Sequence, residues 1–307
     1  MSAGAPLATL MLTADPQIGL YRSALRRAEQ NRAALEGRGA HDPAFDDLPA
    51  LDGDEREALL FGEAIEAANA LRPDALVVCG DLVQDWNDDG QARLAQGIAA
   101  GLDPAIPLLW VAGNHDIAPD TREPTVEALA RYRGLFGDDR YVVEIGGVRL
   151  IVLNSTVLHG ETLPEEGAEN LEFLEAELNE ARRAGQVPVV CSHHPWFLRE
   201  PSESAEEAES LSIPPEPRRR LLEIAAAGGL RTLLTGHLHQ HRVRQAGELL
   251  QLTTSSIGLP FGRDASGYQV VRVYSDRVEH EPHDLPSGPA LLPEAQRIWA
   301  ARQYEAP

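Results

Sequence analysis

The tetrapeptide Gly113-Asn114-His115-Asp116 places three different donor chemistries in one turn. Asn114 offers a neutral amide oxygen, His115 a titratable nitrogen, and Asp116 a carboxylate able to orient that nitrogen. The apolar run 106–112 precedes them and reads as a buried strand, so the donors sit where a strand ends. Other apolar runs end in the same way, at Asp81, at His193-His194 and at His237-Leu238-His239, while Asp15-Pro16-Gln17 begins the set. Oxygen and imidazole donors at five strand ends point to one metal centre.

The elements that must position these groups follow from periodicity. Residues 7–14, 75–79, 107–111, 187–191 and 231–234 read as buried strands. Residues 140–145 and 148–153 flank Gly146-Gly147 and predict a hairpin, because paired glycines supply the positive φ of such turns. Strands are also expected at 249–253, 268–273 and 278–283. Apolar spacing predicts helices over 54–71, 91–101, 125–135, 169–184 and 216–227, with Pro124 suited to a first-turn position. The Arg-rich stretch 21–39 is polar, and 41–53 is rich in Gly, Pro and Asp without periodicity. Residues 22–53 therefore read as an inserted loop of the kind that forms lids, 200–209 as an acidic solvated loop, and 285–307 as an amphipathic tail helix. Strand–helix alternation followed by a strand-rich end predicts one α/β domain over 1–307, with a core of about 7–284 and two packed sheets.

The chain of 307 residues is 43% apolar, enough for a sizeable core. Its 48 acidic against 27 basic residues give a formal charge of −21. That excludes a general nucleic-acid backbone binder, which needs clustered Lys and Arg. It points instead to small phosphorylated molecules or basic segments as partners, since like charges slow encounter. Cys79 and Cys191 lie inside apolar runs and read as core residues, neither disulfide nor metal pair. A basic leader and any stretch of roughly 18 apolar residues are both lacking. A cytoplasmic protein without membrane contact is expected.

The order Asp15-x-Gln17, Gly80-Asp81, Gly113-Asn114-His115-Asp116, His193, Gly236-His237-x-His239 resembles the calcineurin-like metallophosphoesterase superfamily. The order carries the likeness; a lone GNHD or GHxH would be weak. More narrowly, ADPQIGL, CGDL, IPLLWVAGNHDI, GGVRLIVLNS and SSIGLPFGRDASGYQVVRV resemble the calcineurin-like phosphoesterase domain-containing protein 1 group, metal-dependent serine/threonine-type protein phosphatases. The resemblance implies a four-layer α/β/β/α sandwich of two mixed sheets holding two metal ions. It implies that Asp15, Gln17, Asp81 and His239 hold the first metal. Asp81 bridges to a second, completed by Asn114, His193 and His237. Two cations roughly 3.5–4 Å apart need such a shared anionic oxygen, and the mixed imidazole and oxygen set suits Mn²⁺, Fe or Zn²⁺.

The implied reaction is hydrolysis of a phosphomonoester, on a small molecule or a phosphoprotein, by in-line attack of a metal-bound hydroxide. His115 is the expected proton donor to the leaving oxygen, with Asp116 fixing its ring. The alternatives are a phosphodiesterase for nucleotides or lipid head groups, and an interaction module that has lost the chemistry. The first motif departs from the superfamily's Asp-x-His by carrying Gln17. A neutral amide is the weaker donor, so a more loosely held first metal is expected.

Taken singly, Asp15, Asp81, Asn114 and Asp116 each read better as turn formers; taken together in this order they read as ligands. His194 reads as a residue that packs or faces solvent, His241 as a surface residue, and His41 and His159 as loop residues without a role. Asp85, Trp86 and Arg263 are candidates for the cleft wall, Arg263 by gripping phosphate with its guanidinium fork.

Overall fold

Residues 4–46, 48, 54–119, 121–208 and 211–302 are described by the computed structural model of the chain. From the amino end come β1 (Ala8–Thr13), α1 (Leu20–Glu36), α2 (Glu55–Leu71), β2 (Ala75–Cys79), α3 (Asp89–Ala99) and β3 (Leu108–Val111). Next are α4 (Asn114–Ile117), α5 (Val126–Phe136), β4 (Tyr141–Ile145), β5 (Val148–Val152) and α6 (Thr156–His159). Then follow α7 (Pro164–Ala184), β6 (Val187–Cys191), α8 (Ala205–Ala208), α9 (Pro215–Gly228) and β7 (Thr232–Thr235). The chain closes with β8 (Arg242–Ala246), β9 (Leu249–Thr253), β10 (Gly267–Val273), β11 (Val278–Asp284) and α10 (Gly288–Arg302).

The strands form two mixed sheets, one ordered β11-β10-β1-β2-β3 and the other β4-β5-β6-β7-β9-β8. β1, β2 and β3 are mutually parallel, as are β5, β6, β7 and β9. Alternate side chains of the two sheets meet face to face: Leu10, Leu12, Val77 and Val111 from one, Leu150, Val189, Leu234 and Leu252 from the other. The opposite faces are covered by helices. Met11, Leu76 and Val78 pack under α2, α3 and α5 through Leu60, Phe61, Ala95 and Leu129. Ile151, Val190 and Leu233 pack under α7 and α9 through Leu174, Leu178 and Leu221. Strands buried on both faces explain why the runs are continuously apolar instead of alternating. The result is the four-layer α/β/β/α sandwich expected from the sequence. Cys79 and Cys191 are free and buried in the middle of it, and Gly146-Gly147 turn the β4–β5 hairpin with φ of 59° and 93°.

Several expectations change. The polar 21–39 stretch is largely the helix α1, whose Leu20, Tyr21, Ala24 and Leu25 pack on Leu259, Ala295 and Ile298. Its many arginines lie on the opposite face, which lowered its apolar periodicity. Residues 47 and 49–53 of the expected lid, Glu209 of the acidic loop and 303–307 of the tail lie outside the described residues. Pro124 precedes α5, and Thr125 caps it by accepting from the Ala128 N–H at 3.2 Å. α7 begins earlier than expected, at Pro164, and β8 is an unforeseen edge strand. The acidic loop is only partly solvated: Glu203 is buried, accepts from the Leu198 and Arg199 N–H groups, and pairs with buried Arg218 at 3.0 Å. Among the described residues no helix is long and apolar enough to cross a membrane.

Candidate metal centre and active-site cleft

Five parallel strands, β1, β2 and β3 of one sheet and β6 and β7 of the other, hand their carboxyl ends to the same place. Asp15 follows β1, Asp81 follows β2, Asn114 opens α4 after β3, His193 follows β6 and His237 follows β7. Such strand ends are where open α/β sheets gather ligands. Here the backbone is bent hard to achieve it. Asp15, Gln17, Asp81, His237 and His239 all adopt left-handed φ, from 41° to 69°. Among the described non-glycine residues only Arg72 and Thr121 do likewise. Left-handed residues cost on the order of 1–3 kcal/mol each and persist where the surroundings over-determine them, often at functional sites. Close approach is also required: a Cβ at Gly80 would strike the His193 ring, and one at Gly113 the Asp81 backbone and carboxylate.

The donors converge across the sheet interface. One potential ligand atom each from Asp15, Asp81 and His193 lies within 4.8 Å of the others, and the same holds for His193, His194 and His237. His193 Nδ1 donates to the Cys79 carbonyl at 2.8 Å, which leaves Nε2 as the lone-pair nitrogen. That nitrogen faces Asn114 Oδ1 at 3.0 Å, His237 Nδ1 at 3.1 Å and Asp81 Oδ2 at 3.3 Å. His239 Nδ1 donates to the Leu259 carbonyl at 2.6 Å, and its Nε2 lies 3.4 Å from Asp15 Oδ1. Backbone carbonyls thus fix both rings in the tautomer that presents Nε2, the arrangement usual for metal-ligating imidazoles.

Of the buried polar atoms without a protein hydrogen-bond partner among the described residues, three belong to this donor set: Asp15 Oδ1, Gln17 Oε1 and His237 Nε2. Buried acceptors facing acceptors are unfavourable unless a cation lies between them. The donor set therefore fits cations that take mixed imidazole and oxygen ligands. Electrostatics agree. Burial pushes the Asp81 carboxyl up, but the imidazoles of His193 and His115 outweigh it and hold Asp81 below the usual carboxylate range. Burial pulls His193 down, yet Asp81 and Asp15 lift it to about 9. A field that holds a proton there also attracts a metal cation in its place. His237 is pushed well down by burial and by His193.

One expected pairing is overturned. Asp116 does not orient His115. Its Oδ1 accepts from the Leu82 and Val83 N–H groups at 2.8 and 3.2 Å, and its Oδ2 from the Gly113 N–H at 2.8 Å. The carboxylate points back under the β2 turn because α4 begins at Asn114, which puts Asp116 on the buried face of that turn. Burial and the Asp81 charge push it up to about 8, against the N–H groups of Gly113 and Val83. His115 is oriented instead by Nδ1 donating to the Gln84 carbonyl at 3.0 Å.

His115 lines a hollow of about 280 Å³ together with Gln17, Asp81, Asn114, His237 and His239. The same wall carries Arg122, Phe261, Trp299 and Arg302, which spacing had not singled out, together with His159 and His194. His194, expected to pack or face solvent, is buried, with Nδ1 3.0 Å from the Ser155 hydroxyl, and stacks on His159 at 4.7 Å. Phe261 bridges His239 and Trp299, with ring centroids 4.3 and 3.9 Å away. Asp85 and Trp86 do line the adjoining cleft. Arg263 does not: it is exposed and lines neither hollow. The chain turns at Gly262, and Asp264 is drawn in to accept from the His241 N–H at 2.8 Å. His241, read as a surface residue, is partly buried, and its Nδ1 accepts from the Ser255 N–H at 3.2 Å.

Residues 40–241 match the family described as calcineurin-like phosphoesterase. The chain is 31% identical over 244 residues to the mouse (Mus musculus) serine/threonine-protein phosphatase CPPED1, covering 76% of each. It is 30% identical over 284 residues to the human (Homo sapiens) protein of that name, covering 90% of this chain and 83% of that one. The fold is shared with a dimetal phosphatase from Danio rerio at a TM-score of 0.55 and 14% identity, over 90% of this chain and 96% of that one. With its strand-end donors in one hollow and two thirds of its length matched, the chain belongs to the calcineurin-like phosphoesterase family, hydrolases of phosphate esters.

Proposed function

We propose that the protein is a dinuclear metal-dependent phosphomonoesterase, related in activity to the serine/threonine-protein phosphatases it resembles. The observation that carries the reading is the convergence of Asp15, Asp81 and His193 within 4.8 Å, with Asp15 Oδ1, Gln17 Oε1 and His237 Nε2 lacking protein partners beside them. Asp15, Gln17, Asp81 and His239 hold one cation; Asp81, Asn114, His193 and His237 hold the second. Mn²⁺, Fe or Zn²⁺ suit that set. When bound, the metals supply Lewis acidity and a water of lowered pKa for in-line attack on phosphorus.

The chain's own residues do the rest. Asp81 neutralises both metal sites at once, and the Cys79 and Leu259 carbonyls keep His193 and His239 turned inward. His115 has Nδ1–H committed to Gln84, so in its imidazolium form the proton on Nε2 is the one it gives to the leaving oxygen, returning to the neutral ring. Arg122 and Arg302 take the phosphate-facing role expected of Arg263, because they line the hollow.

The test is elemental analysis of purified protein combined with turnover of p-nitrophenyl phosphate and bis(p-nitrophenyl) phosphate, with and without Mn²⁺. About two metals per chain, faster monoester cleavage and loss of at least ~10³-fold in Asp81→Asn are expected. Faster diester cleavage would replace this reading with a phosphodiesterase. A metal-free, inactive protein after reconstitution would leave only an interaction module.

A further inference from the structure

The metal hollow opens into a larger cleft of about 1090 Å³, and the two share His115, Thr121, Arg122, Leu211, Trp299 and Arg302. The chain as a whole carries a formal charge of −21, yet among the described residues this cleft is lined by Arg22, Arg26, Arg27, Arg122 and Arg302 against two carboxylates, Asp85 and Asp88. Both carboxylates already serve the backbone. Asp88 accepts from the Gly90 and Gln91 N–H groups at the start of α3, and Asp85 from the Asn87 N–H.

The basic groups are arranged along one line. Gly19, Arg22, Ser23, Arg26, Arg27 and Gln30 line the cleft, a stripe at helical spacing down one face of α1. At 1.5 Å per residue the lining stripe runs about 16 Å from Gly19 to Gln30, of which its arginines, Arg22 to Arg27, occupy about 7.5 Å, the length of roughly two residues of extended peptide. Arg22 is paired with Asp54 at 3.2 Å, while Arg26 and Arg27 are exposed. Arg302 lies over the Trp299 ring at 4.5 Å. Burial and the nearby Arg27 both disfavour its charge. Arg27 and Arg302, held close together, repel each other, and like charges kept together in a cleft are a common mark of ligand sites.

We propose that this cleft recognises acidic residues flanking the phosphorylated residue of a peptide substrate, with the phosphate itself in the adjoining metal hollow. The inference rests on the phosphomonoesterase reading and names its substrate class. It reverses what total charge suggests, because recognition is set within a Debye length of the contact, about 8 Å at physiological salt, not by the distant surface. The planar guanidinium forks suit carboxylate side chains, and arginines from α1, from the segment after α4 and from α10 offer more cations than one small phosphorylated metabolite would engage.

The experiment compares kcat/KM of the metal-loaded full chain for two phosphoserine peptides, one with Asp/Glu flanks and one with Asn/Gln flanks. Anisotropy binding of the same labelled peptides is measured in parallel. The acidic peptide is expected to be preferred about tenfold at low salt, the preference shrinking as salt rises. In Arg26→Ala/Arg27→Ala the acidic-to-neutral ratio is expected to fall toward one, chiefly through KM. A ratio near one in the wild type, or one unchanged in the double variant, overturns the proposal. So does competition by inorganic pyrophosphate without any preference between the peptides. If the metal-loaded wild type does not cleave p-nitrophenyl phosphate, the phosphoesterase reading fails separately, and the anisotropy ratio alone then decides on the cleft.

Discussion

Asp116 sits one residue from His115 and touches a different set of groups altogether. Its three backbone N–H contacts tie the turn after β2 to the turn after β3, so it holds Asp81 and Asn114 at a fixed separation. Asn at this position would turn an NH₂ group toward at least one N–H donor. Asp116→Asn is expected to loosen that tie and to lower turnover equally for good and poor leaving groups. Truncating His115 is expected to slow poor leaving groups selectively. A leaving-group dependence in Asp116→Asn like that of the His115 variant would restore the expectation from the sequence that the pair acts as a unit.

At the level of elements, α1 carries the basic stripe and owes its placement to α2 and α10. Its N-cap is Gly19, which has no side chain to cap with. Glu57 of α2 takes over, accepting from the Tyr21 N–H at 2.7 Å, where a carboxylate also complements the helix dipole. Burial is the larger effect and pushes Glu57 from 4.5 up to about 7. A raised carboxylate means that between those values the folded chain keeps a proton that the unfolded chain has released. Stability therefore falls as pH rises from 4.5 to 7. Glu57→Gln keeps an acceptor for Tyr21 and removes the titration. The variant is expected to gain on the wild type across this window, by up to roughly 3 kcal/mol, in unfolding measured at pH 5 and pH 8. Parallel pH profiles would show that Glu57 is ionised throughout.

For the molecule as a whole, the candidate ligands join the two sheets. Asp15, Asp81 and Asn114 come from one sheet, His193, His237 and His239 from the other. The Asp15 carboxylate already accepts from the His237 N–H at 3.0 Å, across 222 residues of sequence. Metal bound there stabilises the folded chain and not the separated strands. At a thousand times Kd the gain is about 4 kcal/mol. Thermal unfolding is expected to shift upward by several degrees with Mn²⁺, to fall on chelation, and to lose its metal response in Asp81→Asn. An unfolding midpoint indifferent to metal and chelator would argue against a centre between the sheets.

The strand runs, their donor-bearing ends and the hairpin glycines were legible in the sequence, because each is a local pattern: apolar continuity, then a turn residue, then a donor. The order of those motifs was enough for the fold and for most of the candidate ligand set. Where the donors point was not legible. Asp116 and Arg263 look like site residues by type, yet backbone N–H groups claim the first, and the bend at Gly262 leaves the second exposed. α1 was hidden because a helix wedged between the cleft and α10 needs only a narrow apolar stripe. Glu203 was hidden because its partner Arg218 belongs to another element. Total charge could be counted from the chain alone, but its local reversal depends on three-dimensional placement. Arginines from α1, from the segment after α4 and from the end of α10 meet only after the sandwich closes, since charge interactions act through space and not along the chain.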